Sequence, residues 1–433
     1  MELLAVHSRT YQQADDYLRL TLERKTRRFG CGMTLPAGPL AYQSQQAPIP
    51  LSPLEEAYLV CAAVGTTGHN LGDMQFQREP GRENGQGMAL MNLASRTVAS
   101  ACSAQTTRLF MTNDEGVYLV QSAAVQDGVP SFRATKLQEG RLDIPRRVPI
   151  MLSFNHWYVN RPGSTYFMPV TGVTELYLNL LMVLVSEEYG CFFVDTDNGG
   201  AACGLDAFRR SRGGHLHDDP AQERILTLRD LDVQIASLAA AEQPLMCQHL
   251  VMMETALGLG GGMQSVGSGR HWLGINPAVC QGLGFQYQYQ TRAGARPNPW
   301  GLPGVWEAPV TPATTRMDDA VMGVFNAKFG STGVYRQSSG KPWVNPELAH
   351  EVMPHSERAV EAAIAFANYV LKTYGRFPAH ADAFSLGLGC QAHHLDLDFY
   401  DRFYPAATIP RAHREHMEQD HGWVTTGKEV SHD

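Results

Sequence analysis

The sequence predicts a mixed fold of helices and strands, α+β or α/β, and three observations carry that expectation. Stretches with helical periodicity and recognisable caps alternate with short β-prone runs along the chain. The chain is long, 433 residues of which 44% are hydrophobic, enough to bury a large core as one domain or two. No internal repeat is visible, so solenoid and propeller architectures are not expected.

The first helix begins at Thr10: Tyr11, Ala14, Leu18 and Leu22 share one face, Asp15 can pair with Arg19, and Gly30 stops the run. In "SPLEEAYLVCAAVG" Ser52 is the expected N-cap, Pro53 occupies the first turn, Glu55 completes a capping box, and Gly65 ends the helix. "TRLFMTNDEGVYLVQS" reads as a hairpin, two β-prone runs around a polar turn. Residues 125–170 hold a basic stretch, "GRLDIPRRVP", and a polar aromatic one, "SFNHWYVNRPGSTYF". A helix from Glu175 to Tyr189, capped by Thr174 and closed by Gly190, is followed by a buried strand, "CFFVD". A long helix from about Leu228 to Leu257 leads into the run "GLGGGMQSVG", after which "GLGFQYQYQ" reads as a strand. The proline- and glycine-rich residues 292–312 make the most plausible boundary, and beyond them a helix with Ser356 as cap and Gly375 as stop stands out.

Bulk properties exclude some functions. The net charge of −8 and the scattered cations argue against a nucleic-acid partner. Eight cysteines without a CxxC pair, most in apolar runs, suit buried reduced thiols. The N-terminal residues lack a basic n-region and a long apolar h-region, and the most apolar helix carries Asn179 and Glu187. No membrane association is expected, and a cytoplasmic location follows.

Two segments suggest chemistry. Gly258, Gly260, Gly261, Gly262 and Gly267 lie where the long helix stops. They suit either a C-cap with a turn, or a place where a ligand approaches bare main chain. The dinucleotide fingerprint does not apply, because that motif opens a helix and these glycines close one. In "LERKTRRFG", four of the five residues from Arg24 to Arg28 are cationic and Thr26 adds a hydroxyl. This is either a solvated helix end or an anion clamp suited to phosphate.

Taken in order, these pieces resemble the nitroreductase-like flavoprotein family. "RKTRR" stands where members carry a basic FMN-gripping motif, and "PLSPLEEAYLVCAAVGTTGHN" is similar to the helix and asparagine loop that follow it. "LFMTND" is similar to the family's early strand, "MCQHLVMMETALGLGG" to its central helix, and "LGINPAVCQGLGFQY" to the strand that closes its sheet. The resemblance covers residues 10–120 and 228–288. It implies an α+β fold with a central, mainly antiparallel sheet flanked by helices, in a homodimer. It also implies a flavin-dependent oxidoreductase that uses FMN to pass hydride between NAD(P)H and a small-molecule substrate of the nitro, quinone, enone or azoline type. Carried over residue by residue, Arg24 and Lys25 hold the phosphate and ribityl chain, Thr26 and Arg28 support the phosphate end, Asn70 bonds the ring edge, and Gly260 and Gly261 lie beside the cofactor. No catalytic acid or nucleophile is implied, because the flavin does the redox work.

The organisation expected is a core in two parts, 1–124 and 228–290, an insertion at 125–227, and a C-terminal extension at 291–433. The competing reading rests on sixteen histidines. His393, His394, Asp396, Asp398 and Asp401 fall together, and His413, His416 and His421 follow. Alternation of His394, Asp396 and Asp398 places three candidate ligands on one strand face, which suits a metal-dependent enzyme. The spacing matches no standard site, so no metal is assigned. A cofactor-free binding protein on the same fold is the third possibility.

Overall fold

The structure is a computed structural model that describes residues 9–70, 89–265, 267–289, 297–337, 341–381 and 387–423. The loop after Asn70 and the start of the proline-rich stretch, at 292–296, lie outside the described residues.

The helices form where caps and periodicity place them. They are α1 (Arg9–Glu23), α2 (Pro53–Val64), α3 (Thr174–Leu184), α4 (Leu228–Leu257), α5 (Gly269–Leu273), α6 (Asp318–Phe329), α7 (Glu357–Tyr374), α8 (Leu397–Phe403) and α9 (Arg411–His421). At the start of α2 the Ser52 hydroxyl accepts from Glu55 N at 3.3 Å, and Ser52 N donates to Glu55 Oε2 at 2.6 Å, the expected reciprocal box. Ser356 caps α7 in the expected way. Helix α3 is shorter than the periodicity suggests. It ends at Leu184 because Gly190, at φ +57°, folds the chain back so that Cys191 N reaches Leu184 O at 2.9 Å.

Seven strands build an antiparallel sheet: β1 (Thr107–Thr112), β2 (Gly116–Gln126), β3 (Val129–Glu139), β4 (Thr165–Gly172), β5 (Gly260–Ser265), β6 (His380–Ala381) and β7 (Leu388–His393). Their order is β5-β7-β4-β1-β2-β3, with β6 paired to β4 beyond the end of β7. The mixed helix-and-sheet class and its mainly antiparallel sheet agree with expectation, and the hairpin of β1 and β2 lies where its turn residues place it. The sheet takes strands from all four stretches into which the sequence was divided, β7 from the last of them sitting between β5 and β4.

Strand β4 is buried along its whole length and distributes its side chains by the two-residue period. Phe167 joins Leu59, Val60, Leu250 and Val251 beneath α2 and α4, while Tyr166, Met168 and Val170 pack with Trp272, Leu283 and Phe285 on the opposite face. A separate core of α3, α6 and α7 gathers Leu181, Phe193, Val321 and Phe366. Among the described residues no helix is long and apolar enough to cross a membrane. All eight cysteines are free, and six are buried.

Two expectations are corrected. The glycine run is not a turn: after Gly258 closes α4 at φ +75°, residues 260–265 form an edge strand antiparallel to β7. The segment "GLGFQYQYQ" does not close the main sheet. Its residues Gln286–Gln288 pair instead with Asn298–Leu302 in a small three-stranded sheet.

Candidate functional site

The basic segment is not a helix end. Helix α1 stops at Glu23, and the chain then runs extended against the glycine strand. Arg27 N donates to Gly261 O at 3.2 Å and Gly261 N returns to Arg27 O at 2.8 Å. The pairing needs bare backbone. Gly261 holds φ +134°, and a Cβ there would lie 1.7 Å from Gln391 O; one on Gly262 would lie 2.9 Å from the Thr26 methyl. Thus the two segments singled out in the sequence are neighbours, joined through main-chain hydrogen bonds.

This docking buries one cation and leaves two exposed. Arg27 is 4% exposed, and its guanidinium donates to Thr408 O at 3.0 Å, Glu23 O at 3.3 Å and Lys25 O at 3.4 Å, with His413 Nε2 at 3.5 Å. Burial, with the Arg27 charge beside it, holds His413 down at about 3, so the imidazole is neutral and accepts. Lys25 and Arg28 are exposed, and Arg28 lies over the Tyr158 ring at 5.2 Å.

Lys25, Thr26, Arg27 and Arg28 form one wall of a cavity of about 350 Å³. Phe29, Trp157, Phe399, Tyr400 and Tyr404 supply flat aromatic surface, and Leu35, Leu40, Thr408 and Ile409 complete the lining. Phe29 stacks on Phe399 at 4.1 Å and on Trp157 at 6.1 Å, so the aromatic wall is preassembled. Three cations and no carboxylate line this space among the described residues.

The expected site residues divide. Lys25, Thr26 and Arg28 line the cavity; Arg24 does not, and its charge acts on buried Glu254. Gly260 and Gly261 lie behind the cationic segment and admit the chain's own atoms: a Cβ on Gly260 would lie 2.2 Å from Leu395 Cδ2. Asn70 is remote from this wall, past the C-terminal end of α2, where its N–H donates to Leu93 O at 2.6 Å. Reasoning from sequence missed Phe399, Tyr400 and Tyr404. "LDFYDRFY" was weighed for its carboxylates, and its aromatic period was the available signal. Trp157, from the polar aromatic stretch of residues 153–167, also lines the cavity.

The histidines also divide, and the strand-face arrangement does not occur. Strand β7 ends at His393, Asp396 caps α8 by accepting from Phe399 N at 3.1 Å, and Asp398 lies within α8. Asp401 pairs with Arg414. His393 is buried and, pushed down to about 3 by burial, neutral. His394, His416 and His421 converge instead on Glu55.

A second cavity, of about 270 Å³, opens beside the first half of α4, lined by Tyr177, Asp232, Gln243, Arg270, Arg376 and His380 among others. The Tyr177 hydroxyl donates to Asp232 at 3.0 Å. Burial raises the Asp232 carboxyl, while Tyr177 and the Arg376 charge work against that rise.

No protein-family model matches the chain, and no curated protein matches it. Among solved structures, a chain from Ralstonia eutropha JMP134, provisionally assigned as a nitroreductase, aligns at 11% identity. The alignment covers 57% of this chain and 69% of that one, with a TM-score of 0.24. A score of that size carries no argument about shared fold or activity.

Proposed function

We propose that the cavity beside Lys25–Phe29 binds FMN and that the protein is a flavin-dependent oxidoreductase, taking hydride from NAD(P)H and delivering it to a small organic substrate. One observation carries the reading: a cavity within the usual size of ligand pockets, roughly 300–1,000 Å³, has a cationic wall with no lining carboxylate and faces a preassembled aromatic wall. That pairing suits a molecule with an anionic end and a flat ring. Lys25 and Arg28, both exposed, are free to close on a phosphate, the Thr26 hydroxyl adds a hydrogen bond, and buried Arg27 contributes fixed positive potential behind them. Trp157, Phe399 and Tyr404 offer faces for a ring. When bound, the flavin supplies the hydride chemistry; the chain binds, orients and shields it from water.

A homodimer belongs to this reading. Tyr11, Leu18 and Leu22 form one apolar face on α1 and are 60%, 55% and 70% exposed, immediately before the cationic segment. A second copy seated there covers that face at the edge of the cavity. Replacing Leu18 and Leu22 with Asp is expected to convert a dimer to a monomer in sedimentation velocity.

The defining experiment is a fluorescence titration of purified protein with FMN and, separately, riboflavin. FMN is expected to bind with quenching, and riboflavin, lacking the phosphate, at least about 10-fold more weakly. Equal affinities remove the phosphate from the argument, and no binding of either leaves a cofactor-free binding protein.

A further inference from the structure

We propose that Glu55, His394, His416 and His421 form a zinc-binding site that clamps helix α9 onto α2 and the end of β7. The site is independent of the flavin reading, and it assembles residues from three separate parts of the chain.

The geometry is that of a closed shell. One ligand atom from each of the four residues lies within 4.8 Å of every other. Glu55 Oε1 is 3.1 Å from His394 Nε2 and 3.3 Å from His416 Nε2. Zinc–nitrogen and zinc–oxygen bonds of about 2.0–2.1 Å in a tetrahedron put neighbouring ligand atoms about 3.3 Å apart. The rings already cluster: His394 and His416 are parallel within 7° at 5.2 Å, and His421 stands edge-on to them at 4.2 and 5.1 Å.

The outer hydrogen bonds aim the ligands. His394 Nδ1 lies 3.0 Å from Ile49 O, an acceptor only, so the proton sits on Nδ1 and Nε2 faces Glu55. His416 Nδ1 lies 3.0 Å from Asp420 Oδ2, giving the carboxylate–histidine arrangement that orients metal-bound imidazoles. Glu55 spends Oε2 on the α2 cap and leaves Oε1 toward the histidines. His416 Nε2 is buried yet makes no hydrogen bond, despite its 3.3 Å approach to Glu55 Oε1.

A neutral His394 sets a nitrogen lone pair against carboxylate lone pairs at 3.1 Å. Protonating both His394 and His416 instead stacks two imidazolium rings face to face. One divalent ion satisfies all four groups. Three imidazoles and a carboxylate suit zinc, and four protein ligands leave no open position for a substrate, which assigns the ion a structural role. The clamp has an evident beneficiary, because α9 follows Thr408 and Ile409 on the cavity wall and packs over Gly258, where a Cβ would meet Ala412 O at 2.5 Å.

The test uses the full chain, stripped with chelator and titrated with Zn(II), with Co(II) as a spectroscopic probe. Uptake of one zinc per chain is expected, with the intense visible bands of four-coordinate Co(II) and a rise in Tm. His416→Ala and His421→Ala are expected to abolish uptake. Asp420→Asn, at an exposed position where folding is not at risk, is expected to weaken zinc binding about 10- to 100-fold. Circular dichroism confirms that each variant is folded, and flavin titration of the same samples keeps the two sites separate. No uptake by the wild-type chain, or uptake that all three variants leave unchanged, overturns the assignment.

Discussion

Helix α4 carries a cavity-lining carboxylate near its start and a buried one near its end, and the two ends handle that charge in opposite ways. Near its start Asp232 lines a cavity in which the Tyr177 hydroxyl donates to it at 3.0 Å and the Arg376 charge lies nearby. Near its end Glu254 has Cys390 Sγ at 3.0 Å, and burial pushes its carboxyl up to about 8, against the lowering effects of Cys390 and the Arg24 charge. Glu254 is therefore neutral at pH 7 and cancels little of the positive charge of residues 24–28. The cavity beside Asp232 sets one carboxylate against Arg270 and Arg376, whereas the cavity beside Lys25–Phe29 keeps three cations without a lining carboxylate. What separates them is charge left unmatched by the chain itself, and that surplus, more than cavity size, marks the place for an anionic ligand.

The largest effect expected tests the neutral Glu254. Its folded value of about 8 exceeds the ordinary 4.5 of the unfolded chain, so between those values the folded state holds a proton that the unfolded state has lost. The resulting stability is fully present below about pH 4.5 and is lost as pH rises through about 8. The slope is about 1 kcal/mol per pH unit, which amounts to several kcal/mol over the window. Urea unfolding of the wild type and of Glu254→Gln across that range reads it directly. The variant should flatten the slope; identical slopes would mean that Glu254 is ionised, and that both ends of α4 carry charge.

Next in size is the floor beneath the cationic wall. Gly261→Ala puts a methyl 1.7 Å from Gln391 O at φ +134°, and is expected to cost about 3 kcal/mol or more in urea unfolding. Gly304→Ala, at φ +72° with nothing within 4 Å, should cost only about 1 kcal/mol. Equal costs would show that the close approach of Gly261 to Gln391 on β7 contributes little to stability.

Local signals in the sequence were read well, and distant ones were not. The Ser52–Glu55 box, the hairpin at Asn113–Glu115 and the extent of α4 are written in residues three to thirty apart. Strand β4 was illegible because a strand covered on both faces has no alternation to display. The place of β7 depends on pairing Cys390 with Phe167 across the chain, which no window shows. The order of motifs did bring the basic segment to the glycines, but bare backbone looks the same in sequence whether a ligand or the chain itself fills it. Here Leu395 and Gln391 fill it. Glu55 escaped notice as a partner of His394 because the two are 339 residues apart and its other oxygen already explained it as a cap.

The smallest of these effects bears most directly on the contrast between the cavities. Replacing both Lys25 and Arg28 with Ala removes the two mobile cations and leaves buried Arg27, with its carbonyl partners at 408 and 23, in place. Each charge-assisted hydrogen bond from such an exposed side chain to a phosphate contributes about 1 kcal/mol, so losing two weakens FMN binding about 30-fold. Both side chains are exposed, so the fold and Tm should be unchanged. Asp232→Asn alters a charge in the cavity beside Tyr177 and should leave FMN affinity as it was. The two variants separate charge surplus from general electrostatics: a long-range field would respond to both, whereas a local clamp responds only to the first. FMN affinity that falls with Asp232→Asn and survives the double substitution would move the ligand to the cavity beside Tyr177 and His380.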